Sequence, residues 1–157
     1  MQAGYEVNTK ELLESVVAFV RSFGLHKPDQ TPCGQPVAVA EAHALMDLAA
    51  FGPMRQGELA ARLQLEKSTV SRLVRQMEAH GWIQRNSDRH DGRAVLVRLT
   101  KQGRETATQL ARARQEKFAR ILAAIPEDKR SMVVEAISIL ERACSSSQDN
   151  PVLFQII

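Results

Sequence analysis

At 157 residues, 44% hydrophobic and 25% charged, the chain can build one packed domain, alone or with an appended lobe, and its composition is not that of a disordered segment. Two cysteines are too few for a disulfide framework, no apolar run approaches the roughly 20 residues of a membrane span, and no secretory leader is evident, so a soluble cytoplasmic protein is expected. The net charge of +3 is unevenly placed: residues 54–104 hold eleven Lys and Arg against five Asp and Glu, a local +6, and the remainder is −3. A concentrated basic segment suits a polyanion, because neutralising phosphates releases their counterions.

Residues 1–8 are a polar start. Asn8 and Glu11 have the spacing of a capping box, and Leu12, Val16, Phe19, Val20 and Phe23 follow at helical intervals, with Leu13 and Val17 widening the stripe. A helix over Thr9–Phe23 is expected, ending at Gly24. So broad an apolar surface fits either ordinary core or a partner-binding face. Residues 24–36 contain three prolines and two glycines and read as a loop. A second helix covers Val39–Phe51 with Ala42, Leu45, Met46 and Ala49 inward, until Gly52-Pro53 breaks it. A short helix then runs over Gln56–Leu63.

Lys67-Ser68-Thr69 opens a helix over about 66–80, with Ser68 or a near neighbour as the expected cap. Val70, Leu73, Val74 and Met77 form its i, i+3, i+4, i+7 stripe. Ser68, Ser71, Arg72 and Arg75 share the opposite face. Gly81 ends the helix. Residues 82–85 and 94–99 read as two strands around a polar, glycine-containing connection. Two helices joined by a turn and followed by a β-hairpin predict a mainly α chain carrying a winged helix-turn-helix. Beyond it, a long helix over about 100–125 carries Ala107, Leu110, Phe118, Ile121, Leu122 and Ile125. Pro126-Glu127-Asp128 is a stop and a fresh start. A last helix carries Met132, Val133, Ala136, Ile137, Leu140 and Ala143. Residues 145–150 read as a polar loop, and 151–157 as an apolar tail expected to pack on this subunit or a partner.

The central run resembles the MarR family of bacterial transcriptional regulators. The matching residues are Glu58-Leu59-Ala60, then Ser68-Thr69-Val70-Ser71-Arg72-Leu73-Val74, then Gly81-Trp82-Ile83-x-Arg85. Asp91-Gly92-Arg93 follow in the wing, and Val97-x-Leu99-Thr100-x-x-Gly103 leave it. The resemblance implies that residues 37–104 are the DNA-binding lobe, and that terminal helices within 9–36 and 105–157 interlock two subunits into a homodimer. It implies a repressor of a pseudo-palindromic double-stranded operator with half-site centres about 10 bp apart. A small aromatic or phenolic ligand entering between the lobes would modulate DNA affinity. The expected DNA-binding residues are Lys67, Ser68, Thr69, Ser71, Arg72 and Arg75 on the helix, with Arg89 and Arg93 near the wing tip. There a long cation can enter a narrow minor groove. The resemblance gives Asp91 a structural ion pair that holds the wing.

No phosphate loop, Cys-x-x-Cys, His-x-x-x-His or Ser-His-Asp pattern is present, so neither an enzyme nor a cofactor is expected. Cys33, Glu41 and His43 fall near the start of the second helix, where some family members bind zinc. The long helix has no His or Cys to complete such a site, and no metal is expected. Some members sense oxidants through one N-terminal cysteine, which makes Cys33 a candidate redox sensor if its thiol is activated. An unreactive loop cysteine is the favoured reading. The remaining alternative is a winged-helix module that binds protein, against which the +6 segment and the Arg-bearing wing argue.

Overall fold

The computed structural model describes residues 7–87 and 95–147. Helix α1 spans Thr9–Phe23, and its capping box forms as expected: the Glu11 N–H donates to Asn8 Oδ1 and the Asn8 N–H to Glu11 Oε2, both at 3.1 Å. Gly24 closes it with a left-handed φ of 95°. The loop that follows is knotted on buried Thr31, whose hydroxyl accepts from the Gln35 N–H at 3.1 Å while its own N–H donates to the Gln35 carbonyl at 2.9 Å. Such local bonding satisfies backbone groups that no regular element serves.

Helix α2 (Val39–Phe51) buries Ala42, Ala44, Leu45 and Leu48. Ala49, expected inward, is exposed, and Ala44 and Leu48 take its place. An element apolar on nearly every side gives periodicity little to discriminate with. After Gly52-Pro53 comes a strand that periodicity did not reveal, β1 (Met54–Arg55). Helices α3 (Gln56–Leu63) and α4 (Lys67–Ala79) form the helix-turn-helix, joined through Gln64 at φ 53°. The hairpin strands are β2 (Ile83–Ser87) and β3 (Val95–Leu99), and the antiparallel sheet has the order β1-β3-β2. Ile83 faces Leu99 and Arg85 faces Val97 in one register; Met54 faces Val97 in the other. Leu45, Leu59, Val70, Val74, Met77 and Val97 are the largest fully buried side chains, so the core lies where α2, α3, α4 and the sheet meet.

The turn at the foot of α4 is a Schellman closure: the Trp82 N–H donates to the Met77 carbonyl at 3.0 Å and the Gly81 N–H to that of Glu78 at 2.9 Å, with Gly81 at φ 74°. Trp82 therefore belongs to this turn, not to the strand expected to begin with it. Thr100 then ties the exit of the wing to the same turn. Its N–H donates to the Trp82 carbonyl at 2.9 Å, its hydroxyl donates to the Gly81 carbonyl at 2.6 Å, and that hydroxyl accepts from the Gly103 N–H at 3.0 Å. Helix α5 (Lys101–Ala124) thus starts directly against the end of α4.

By contacts the chain divides into residues 1–115 and 116–157. In the second unit a single 3-10 turn, Glu127–Lys129, follows Pro126 and leads into α6 (Arg130–Ser147). Residues 145–147, expected as loop, stay helical. The Ser146 hydroxyl donates back to the Ala143 carbonyl at 3.0 Å instead of competing with the helix. The apolar tail 151–157 lies outside the described residues. Among those described, no helix is long and apolar enough to cross a membrane.

Candidate nucleic-acid interface

Helix α4 is held by one face and offers the other. Val70, Val74 and Met77 have no exposed surface and Leu73 has 6%, as the stripe in the sequence requires. Lys67, Ser68, Arg72 and Arg75 are exposed, while Thr69 and Ser71 are half-buried at the flanks. Ser68 does not cap the helix. Glu66 occupies the cap position without a side-chain hydrogen bond, and Ser68 sits in the first turn facing solvent. The leading N–H groups of α4 therefore have no side-chain cap, the condition in which a helix N-terminus receives phosphate. Arg75 reaches back toward the Ser71 carbonyl at 3.4 Å, a bond long enough to be given up readily.

The wing's first strand is tied to this helix by a pair that the sequence reading left without a role. Arg85 Nε donates to Glu78 Oε2 at 2.8 Å, and a second guanidinium nitrogen approaches the same oxygen. The hydrogen bond from Arg85 holds the Glu78 carboxyl below its usual 4.5. Both side chains are more than a third exposed, so the pair is worth only a fraction of a kcal/mol to about 1 kcal/mol. Its consequence is geometric, since it sets β2 against the last turn of α4. Arg89, Arg93 and Asp91 lie outside the described residues.

Beside α4 lies a cleft of about 620 Å³. Thr69, Arg72, Gln76 and His80 form one wall, and the start of α2 with Glu41 forms the other. Gln76 is exposed one turn beyond Arg72, a relation that the i, i+4 rule makes readable from sequence although it went unassigned. Glu41 is buried. It caps α2 by accepting the Ala38 N–H at 3.4 Å, and its other oxygen faces His80 Nε2 at 3.6 Å. The His80 ring stacks on Trp82 with centroids 4.4 Å apart.

Glu41 therefore pairs with α4 and not with Cys33 and His43; among the described residues no three His, Cys, Asp or Glu converge as metal ligands. Cys33 is half-buried in the loop, its sulfur 3.0 Å from the neutral Thr31 hydroxyl. Cys144 is exposed on α6.

A family profile described as MarR matches residues 38–95. An HTH-type transcriptional regulator of Mycobacterium leprae is 31% identical over 105 residues, covering 67% of this chain and 73% of the relative. The chain belongs to the MarR family. The segment matched by the MarR profile runs from the cap of α2 to the first residue of β3, so it contains α4 and, apart from Asp29 and Pro36, the residues lining the cleft beside it. YxaD, an HTH-type transcriptional regulator of Bacillus subtilis, is 33% identical over 99 residues, 63% of this chain and 69% of its own. Two solved structures agree in fold. FabT of Streptococcus pneumoniae, in complex with DNA, has a TM-score of 0.67 at 18% identity over 87% of this chain and 95% of its own. PcaV of Streptomyces coelicolor, with its natural ligand, has 0.67 at 20% identity over 88% and 94%.

Proposed function

We propose that this MarR-family chain works as a homodimeric repressor, reading a pseudo-palindromic operator through α4 and losing DNA affinity when a small molecule binds. That it is a DNA-binding transcriptional regulator and not an enzyme follows from its family. The observation that carries the rest is the exposed face of α4. Lys67, Ser68, Arg72 and Arg75 stand clear of a core that pins the opposite face, which is how an α-helix is presented to the major groove. Arg72 and Arg75 are assigned to base edges; Lys67, Ser68, Thr69 and Ser71 to phosphate and flanking contacts; and Arg89 and Arg93 to the wing's approach to the minor groove, with Asp91 bracing the wing. Support for the dimer comes from apolar surface left open on the terminal helices, and support for ligand control from PcaV, which was solved with its ligand. Residues 9–36 and 105–157 would form the dimer lobe and 37–104 the reading lobe, acting in the cytoplasm.

Selection of bound sequences from a random duplex pool supplies the operator, and affinities for operator and scrambled DNA at several salt concentrations supply the test. One bidentate base contact is worth about 1–3 kcal/mol of discrimination, so losing whichever arginine makes it should collapse the ratio of the two affinities. Arg93→Ala should instead weaken both affinities and reduce the slope of log affinity against log salt by about one. If Arg72→Ala and Arg75→Ala both lower the two affinities equally, α4 does not read bases.

A further inference from the structure

We propose that the cleft between the start of α2 and α4 is a binding site for a small aromatic cation, with Glu41 as its counter-charge and the Trp82–His80 pair as its stacking wall. The volume, about 620 Å³, is that of a small-molecule site, which typically falls at about 300–1,000 Å³. Charge decides the class of occupant. Glu41 and Asp29 line the cleft as carboxylates, against Arg72 as the one permanent cation there among the described residues. Glu41 is the buried member, with a side chain only 9% exposed. Its capping role occupies one oxygen, and among the described residues the second has only His80 Nε2 at 3.6 Å, beyond hydrogen-bond length. A carboxylate oxygen that opens to the cleft from an otherwise buried side chain favours a cationic N–H donor and disfavours an anion. The stacked His80 and Trp82 rings offer an aromatic surface along which a flat, delocalised cation gains both stacking and cation–π attraction. An amidinium or guanidinium on a single ring has the required charge, donors and thickness.

Thr69 and Arg72 are common to this wall and to the face assigned to DNA, so occupant and operator exclude one another. This second half rests on the proposed reading of DNA by α4; the site itself does not.

Trp82 is the only tryptophan in the chain and lines the cleft, so its emission reports occupancy without DNA. The probes are benzamidine, benzamide and benzoate, which share a shape and differ in charge, followed by tryptophan emission and by calorimetry. Benzamidine should bind with the emission changing in step, and benzoate should not bind in the same range. Glu41→Gln keeps an oxygen for the Ala38 cap, and it should weaken benzamidine by at least about tenfold with the helical signal intact. Equal or tighter binding of benzoate by the wild-type chain overturns the proposal whatever the variant does, as does a Glu41→Gln protein that binds benzamidine unchanged. Saturating operator duplex should then raise the apparent dissociation constant for benzamidine, by the reciprocity of linked binding. An unchanged constant in the presence of bound operator refutes the exclusion and leaves the site standing.

Discussion

Two backbone positions near the recognition helix, with opposite signs, show what single residues contribute. Gly103 sits in the first turn of α5, where a Cβ would overlap the Trp82 carbonyl oxygen and lie 2.8 Å from its carbon. The atom in the way is backbone, and it already accepts the Thr100 N–H, so neither partner can yield without opening that hydrogen bond. Replacing a helical glycine by alanine ordinarily gains about 1 kcal/mol. Gly103→Ala should instead destabilise by about 3 kcal/mol, as overpacking against fixed atoms does, and chemical denaturation will give the sign. This is the physical content of the Leu-Thr-x-x-Gly stretch: Thr100 caps and stitches, and Gly103 permits the approach. Gln64 is the converse, a non-glycine residue at φ 53° in the turn between α3 and α4. Left-handed backbone costs such a residue about 1–2 kcal/mol, partly offset by the greater freedom of glycine in the unfolded chain. Gln64→Gly should therefore stabilise by about 0.5 kcal/mol in the same measurement, because the Leu65 N–H to Ala60 carbonyl bond that closes the turn needs no side chain.

At the scale of elements, α4 and the wing are one unit because three connections converge on the foot of the helix: the Schellman turn at Gly81, the Thr100 stitch and the Glu78–Arg85 pair. The last can be tested by pH. Arg85 holds the folded-state pKa of Glu78 below its usual 4.5, so the folded chain binds fewer protons there than the unfolded one. Its contribution is thus fully present above pH 4.5 and is lost as the pH falls through the lowered value. Arg85→Met should remove that part of the acid limb of the stability profile and change stability near neutrality by no more than about 1 kcal/mol. An acid limb identical in both proteins would show that the pair is not formed in solution. The same variant should alter DNA binding mainly in its salt dependence, since it frees the wing and leaves the exposed face of α4 in place.

For the whole molecule, the apolar residues that find no core are concentrated in the terminal helices. No residue of α1 is buried; Leu12, Leu13 and Phe19 are half or more exposed. In the second unit Met132, Val134, Ile137 and Ile139 on α6 are likewise open. Surfaces of this kind are rare on monomers and common where subunits meet. Removing residues 1–23 should therefore give aggregation or unfolding, and in the intact chain the melting temperature should rise with protein concentration, as it does when folding and association are linked. A truncated chain that remains a stable monomer by light scattering would count against the dimer.

What the sequence determined by itself was written in short-range spacing, although the cap expected at Ser68 did not form and the loop expected from residue 145 is helical through Ser147. The capping box at Asn8 and Glu11, the ends of α1 and α2, the buried stripe of α4 and the stop at Gly81 all depend on residues within about one or two helical turns of each other, where period and capping chemistry leave few options. The polar face of α4 was legible for the same reason, since the stripe Val70-Leu73-Val74-Met77 fixes what must lie opposite. The tertiary structure decided what depends on residues distant in the chain. β1 is two residues long and exists only because β3 has an edge to pair with, so no periodicity could announce it. Nothing local indicates that Glu41 would turn from Cys33 and His43 toward His80, that Arg85 would reach Glu78, or that Ala44 and Leu48 would be covered while Ala49 is not. Those choices are made when α2, α4 and the sheet close around one core, because burial selects among side chains that local propensity leaves equivalent.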